Sequence, residues 1–192
     1  MFTGIITNIG KVKEINKRAD DIEVTLEINT ENEIYIGQSI ACDGVCLSVT
    51  KLSNKNISFY ISKETISKTI IKNWHIDYEV NIEFAMIANG RFDGHMVSGH
   101  IDNIAIIEKI NKISESYLIV ITLPKNYLKY VIDKGSICLN GVSLTVNKLT
   151  QNNIEVNIIP ITWEKTNFKN LKLGSEINFE VDMLAKYLEK LS

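Results

Sequence analysis

The chain repeats itself, and no other feature restricts its fold as strongly. Residues 39–52 read SIACDGVCLSVTKL and residues 136–149 read SICLNGVSLTVNKL, identical at 8 of 14 positions at an offset of 97. The same offset carries Thr65 and Thr69 onto Thr162 and Thr166, and residues 79–83 (EVNIE) onto residues 176–180 (EINFE). Near the start the offset is 95, where MFTGIITNIGKVKEI falls on MVSGHIDNIAIIEKI, beginning at Met96. The boundary is expected near residue 95, giving one unit of residues 1–95 and a second of residues 96–192. Each unit is close to the usual domain size of about 100 residues.

Within each half the apolar residues recur every second position. Ile22, Val24, Leu26 and Ile28 alternate with polar residues, as do Ile57, Phe59 and Ile61, and Val80, Ile82, Phe84 and Met86. The second half repeats this with Ile154, Val156 and Ile158, then Ile177, Phe179 and Val181. These are half-buried strands. The spans between them are too short for regular crossover helices, so the expected fold is all-β: two homologous small antiparallel closed β-barrels in tandem. One clear helix follows, about residues 183–191, where Asp182 can cap MLAKYLEKL and Met183, Leu184, Tyr187, Leu188 and Leu191 form an apolar stripe.

Composition excludes several classes. With 45% hydrophobic and 23% charged residues the chain is neither disordered nor low-complexity. A net charge of −2 supplies no basic field for a phosphate backbone, so no nucleic-acid partner is expected. No run of 18 apolar residues and no basic leader occur, and three cysteines, Cys42, Cys46 and Cys138, suit a reducing compartment. A cytoplasmic protein without a membrane partner is the expectation. No metal is expected either: Cys42 and Cys46 lack a second ligand pair, and His95 and His100, an odd number apart, would leave opposite faces of a strand.

The repeated strand has two faces. Val45, Leu47 and Val49 alternate with Cys46, Ser48 and Thr50; Val142, Leu144 and Val146 alternate with Ser143, Thr145 and Asn147. One face is core and the other carries hydroxyls or a thiol. Gly44 and Gly141 stand two positions ahead of Cys46 and Ser143, where a missing side chain admits a flat ligand or another backbone. One ligand pocket per half is expected, with His100 as a hydrogen-bonding or proton-transfer group beside one of them.

The start MFTGII, the strands DGVCLSV and NGVSLTV, the linker GHMVSGHID and the pair KET and IPIT together resemble the riboflavin synthase family, built from two lumazine-binding repeats. The likeness spans essentially the whole chain. It implies a dismutation in which two 6,7-dimethyl-8-ribityllumazine molecules exchange a four-carbon unit, giving riboflavin and 5-amino-6-(ribitylamino)uracil. It implies no cofactor, because the substrate's own heterocycle acidifies its 7-methyl protons and accepts nucleophiles at the adjacent ring carbon. It further implies a homotrimer whose active sites form between the first repeat of one subunit and the second repeat of its neighbour.

The resemblance also implies site residues. The first pocket would use Gly4, Ile5 and Ile6 with Cys46, Leu47 and Ser48, and the strand end Tyr60, Ile61, Ser62, Lys63, Glu64 and Thr65. The second would use Gly99, His100 and Ile101 with Ser143, Leu144 and Thr145, then Asn157, Ile158, Ile159, Pro160, Ile161 and Thr162, with Lys134 reaching a ligand. Cys46 would be nucleophile or proton carrier, Ser143, His100, Thr145 and Asp182 would assist proton transfer, and Phe2 would cover the pocket. Ile161 stands where the family's second motif has an acidic residue, and Ser48 where threonine is commoner. The alternative within the same resemblance is a non-catalytic lumazine- or flavin-binding antenna protein. A flavin-dependent hydride-transfer module is a third class, but no GxGxxG stretch supplies a nicotinamide site.

Overall fold

The structure is a computed structural model that describes residues 1–191; Ser192, the last residue of the expected second unit, lies outside them. Twelve strands form two closed barrels of six. In the first, β1 (Asn8–Arg18), β2 (Asp21–Ile28), β3 (Ser39–Cys42), β4 (Val45–Ser53), β5 (Asn56–Ile61) and β6 (Glu79–Phe84) close in the order β1-β2-β5-β4-β3-β6. The second contains β7 (Asn103–Ile113), β8 (Ser116–Thr122), β9 (Ser136–Leu139), β10 (Val142–Leu149), β11 (Asn153–Ile158) and β12 (Glu176–Val181), ordered β10-β11-β8-β7-β12-β9. All pairs are antiparallel.

The alternating residues fill the barrels. Val24, Leu26, Ile28, Val45, Leu47, Val49, Ile57, Phe59 and Ile61 share one core, and Val142, Val146, Ile154, Val156, Ile158, Ile177 and Phe179 share the other. Register shifts at Val12/Glu14 and Ile107/Lys109, and at Val49/Lys51 and Val146/Lys148, fall at equivalent places in the two repeats. Such bulges add the bend that lets a short sheet close on itself.

β6 and β12 depart from the half-buried expectation. Val80 and Ile82 face the first barrel's core, yet Asn81 and Glu83 on the opposite face are also buried, and Asn178 and Glu180 of β12 behave alike. The second face is the seam between barrels. There Asn81 Nδ2 donates to the Asn140 carbonyl at 2.9 Å, Asn178 Nδ2 to the Asp43 carbonyl at 2.9 Å, and Asn167 Nδ2 to Asp43 Oδ1 at 2.8 Å. The apolar alternation also ends at Phe84, leaving Met86 outside the strand.

The seam has approximate two-fold symmetry, because residues pair with their own repeat equivalents. Phe2 bridges Val97, and the turn Asp43-Gly44 meets the turn Asn140-Gly141. Both turns have two residues at positive φ (47° and 80°; 44° and 82°), as a two-residue type I′ hairpin requires. A Cβ on Gly44 would lie 2.7 Å from the Gly141 nitrogen. The glycines therefore admit another backbone rather than a ligand.

Among the described residues three α-helices accompany the barrels: α1 (Lys63–Lys68), α2 (Pro160–Lys165) and α3 (Met183–Leu191). Only α3 shows in the sequence pattern, since six residues are under two turns and display no apolar period. The segment expected to extend the strand through Thr65 instead turns at Ser62, whose hydroxyl caps α1 by accepting from the Thr65 N–H at 3.3 Å. α2 has no side-chain cap; Pro160 occupies its first turn and Trp163 stacks on Tyr117 with ring centroids 3.8 Å apart.

Candidate functional site

Two cavities of matching position are built around the repeated strand, one in each barrel. The first, about 270 Å³, is lined by Val45 and Cys46, by Glu64, Thr65, Lys68 and Thr69, and by Gly99, His100 and Ile101. The second, about 260 Å³, is lined by Val142 and Ser143, by Ile161, Thr162, Lys165 and Thr166, and by Gly4, Ile5 and Ile6. Of the larger depressions, those of about 520 and 570 Å³ contain none of the expected pocket residues, and one of about 460 Å³ contains only Ile5 among them.

The lining corrects the expected grouping. Gly4, Ile5 and Ile6 belong with Ser143 rather than Cys46, and Gly99, His100 and Ile101 with Cys46 rather than Ser143. The leading segment of each repeat crosses the seam to the other barrel. The Ser143 N–H donates to the Gly4 carbonyl at 2.7 Å, and the Cys46 N–H to the Gly99 carbonyl at 2.8 Å. Ile6 accordingly packs on the second core and Ile101 on the first. Glycine is required at both crossings: φ is 79° at Gly4 and 81° at Gly99, and a Cβ there would fall 2.6 Å from the Cβ of Ser143 or Cys46.

Two buried carboxylates hold the crossing segments, and they enter the sequence reading only as the last residue of a repeated pentapeptide. Glu83 accepts from the Thr3 N–H and hydroxyl at 2.7 and 2.9 Å and from the Gly4 N–H at 2.9 Å. Glu180 accepts from the Ser98 N–H and hydroxyl, both at 2.7 Å, and from the Gly99 N–H at 2.9 Å. Burial pushes the Glu83 carboxyl above the usual range, and the donors from Thr3 and Gly4 oppose that shift.

At Ser143 the structure supplies a residue the sequence reading weighed only as a metal ligand. His95, 8% exposed, places Nδ1 2.7 Å from Ser143 Oγ. Its Nε2 is buried without a hydrogen-bond partner among the described residues. Burial holds the imidazole below its ordinary value, with the charge of Asp182 working the other way. His95 is therefore a neutral base in contact with a hydroxyl at neutral pH. It has no equivalent in the first repeat, so the repeat comparison could not find it. His100 is instead exposed beside Cys46, and its backbone N–H donates to Ser98 Oγ at 3.2 Å.

Other expected residues are placed differently. Phe2 does not cover a pocket: it is fully buried with Ala41, Val97 and Cys138, because its backbone is paired to Val97 on the seam. Leu47, Ile61 and Ile158 point into the barrel cores, as the strand period dictates, and have no side-chain access to a cavity. Leu144 packs against the second core. Ser48 and Thr145 are exposed and line neither cavity, as do Tyr60, Ser62, Lys63, Asn157, Ile159 and Pro160. Tyr60 and Lys63 are tied to Asp21, Tyr60 through its hydroxyl and Lys63 through its N–H at 2.8 Å. Lys134 sits at φ 66° in an exposed turn, outside both linings. Asp182 caps α3 by accepting from the Leu184 N–H at 2.9 Å.

Among the described residues no group of three or more His, Cys, Asp or Glu side chains could hold a metal, and no helix is long and apolar enough to cross a membrane.

Comparison with known proteins gives a consistent picture. The Lumazine binding domain family matches twice, at residues 3–85 and 98–182. Proteins named riboflavin synthase are similar over nearly the whole chain: that of Photobacterium leiognathi is 38% identical, with 100% of this chain and 88% of the relative aligned. That of Bacillus subtilis is 36% identical over 98% and 88%, and that of Saccharomyces cerevisiae 36% over 99% and 85%. Among solved structures, LumP complexed with riboflavin superposes with a TM-score of 0.88 at 23% identity, covering 94% of this chain and 99% of that one. LumP complexed with 6,7-dimethyl-8-(1'-D-ribityl) lumazine gives 0.86 at the same identity and coverage. These two likenesses concern the fold.

Proposed function

Because the chain belongs to the riboflavin synthase family, with a lumazine binding domain in each half, we propose that it converts two molecules of 6,7-dimethyl-8-ribityllumazine into riboflavin and 5-amino-6-(ribitylamino)uracil. The barrels of residues 1–95 and 96–192 each take one lumazine, with the leading segment of the other repeat completing each pocket. The observation that carries this reading is the unequal equipment of two otherwise equivalent cavities. One holds Ser143 against the neutral His95; the other holds Cys46 beside His100.

The chemistry divides accordingly. Ser143 Oγ takes a proton from the 7-methyl group of its lumazine as it passes its own proton to His95 Nδ1. Asp182 favours the imidazolium that results, consistent with its pull on His95. At the other cavity Cys46 adds to the ring or carries protons, and His100, open to solvent, exchanges them with water. The protein supplies proximity and proton traffic, and no cofactor enters the scheme.

Assembly completes the site in this reading. Cavities of about 270 and 260 Å³ fall just short of the roughly 300–1,000 Å³ of most small-molecule sites. A neighbouring subunit that faces unlike cavities toward each other would close both. Ser48, Thr145 and Lys134 would then meet ligand across the subunit boundary. The exposed apolar side chains of α3, with Leu184 59% and Tyr187 62% accessible, support association through that helix into a homotrimer. The same enzyme would be cytoplasmic.

The test is to incubate the purified chain with 6,7-dimethyl-8-ribityllumazine alone and follow riboflavin absorbance and fluorescence. Turnover without additives is expected. Tight binding without turnover would replace the synthase by an antenna protein.

A further inference from the structure

The repeat breaks at one position that alters the charge of a cavity. On α1, Glu64 and Lys68 are ion-paired at 2.9 Å, and both line the cavity at Cys46. Their equivalents on α2, at the offset of 97, are Ile161 and Lys165, and both line the cavity at Ser143. The exchange removes the carboxylate and keeps the ammonium. Among the described residues the Lys165 ammonium has neither a hydrogen bond nor an ion pair. None of the other residues lining that cavity is charged. The charged groups around it are Glu164, which precedes it on α2, Glu83, whose carboxyl accepts from the Gly4 N–H of the cavity lining at 2.9 Å, and, behind Ser143, Asp182 acting on His95. α2 is also held in place, since Trp163 stacks on Tyr117 of β8 at an interplanar angle of 9°. One cavity thus presents a paired charge and the other an unpaired cation on a fixed helix.

We propose that Lys165 recognises the anionic form of the lumazine bound at Ser143 and makes this cavity the place where that anion accumulates. The inference rests on the synthase reading above and assigns a residue that reading leaves unused. When the 7-methyl C–H bond breaks, the proton passes through Ser143 to His95 and the electron pair spreads over the heterocycle. An ammonium at the cavity edge stabilises that negative charge more than it stabilises the neutral ligand. The Cys46 cavity lacks this bias because Glu64 neutralises Lys68.

The experiment follows exchange of the 7-methyl protons of 6,7-dimethyl-8-ribityllumazine for deuterium by proton NMR, alongside kcat and KM. Lys165→Gln should slow exchange and lower kcat by about 3- to 10-fold, equivalent to about 0.5–1 unit in the acidity of the bound ligand. KM should change less, because neutral substrate gains little from the charge. Ile161→Glu should have the same effect while leaving the lysine in place, since it rebuilds the pair seen at Glu64 and Lys68. Lys165→Arg should retain near wild-type exchange. If Lys165→Gln and Ile161→Glu both exchange at the wild-type rate in a chain that makes riboflavin, the inference is overturned alone. A wild-type chain that binds the lumazine but neither exchanges nor converts it overturns the synthase reading and this inference together.

Discussion

Replacing Asp43 by Asn should remove most of one large pH dependence from the stability of the fold. Asp43 is fully buried in the turn between β3 and β4. Its Oδ1 accepts from the Asn81 N–H at 2.9 Å and from Asn167 Nδ2 at 2.8 Å, and its Oδ2 from Trp74 Nε1 at 3.1 Å. Burial outweighs these donors and pushes the carboxyl from 3.8 to about 7. Because the folded value is raised, the unfolded chain ionises first as pH rises. The stabilisation is complete below 3.8 and is lost as pH climbs to about 7. About three units correspond to ~4 kcal/mol over the whole window, of which about 2.5 kcal/mol falls between pH 5 and pH 8. Asparagine cannot ionise, and the equivalent turn already carries Asn140 at φ 44° against 47° for Asp43. In Asp43→Asn the new amide would face the Trp74 N–H, donor against donor, at a cost of about 1–3 kcal/mol that does not vary with pH. Urea unfolding followed by circular dichroism at pH 5, 6, 7 and 8, at fixed protein concentration, isolates the varying part. The variant should gain on wild type by about 2.5 kcal/mol from pH 5 to pH 8; with Trp74→Phe in both chains the constant offset should disappear and the gain should grow, because the Trp74 N–H is one of the donors that hold the Asp43 carboxyl down. A difference that stays flat across this range would refute the argument that desolvation governs Asp43.

His95→Gln should lower kcat by about 10²- to 10⁴-fold, the range of a lost general base, while lumazine affinity measured by fluorescence quenching stays within about 3-fold. Residues 1–95 alone lack Gly99, His100 and Ile101, so a monomer of this piece should bind lumazine poorly. By the pseudo-symmetry of the seam, two copies should pair with Gly4 of each in the place of Gly99, and sedimentation should show binding tracking the dimer. Deleting residues 183–192 should leave folded chains that bind lumazine yet lose turnover at low concentration, with partial recovery as concentration rises. A truncated protein that is fully active as a dilute monomer would remove the intersubunit site. Strong chelators should alter neither the melting temperature nor turnover, and activity restored by a specific cation would contradict this.

The two barrels were legible because their information is local and stated twice. Alternation in β2, β5, β11 and β12 names the core, whereas the hairpin turns at Asp43-Gly44 and Asn140-Gly141 were read only as places of close approach. Cys46, Ser143 and Thr65 with Thr162 emerged from the same repetition. α1 and α2 escaped because six residues carry no period. The pairing of His95 with Ser143 escaped, leaving His95 weighed only as a metal ligand, because its partner is 48 positions away.

Tertiary structure alone decided which half lends residues to which cavity. In sequence Gly4 belongs to the repeat of Cys46, and the natural inference keeps them together. The crossing depends on main-chain bonds to Ser143 and Cys46 and on Glu83 and Glu180 gripping the segments across about 80 residues of chain. A repeat specifies what each barrel contains. How two copies exchange their ends is set by the polar seam, where the buried Asn81 and Asn178 amides donate to carbonyls of the other barrel and Asp43 takes one of its donors, Asn167, from there.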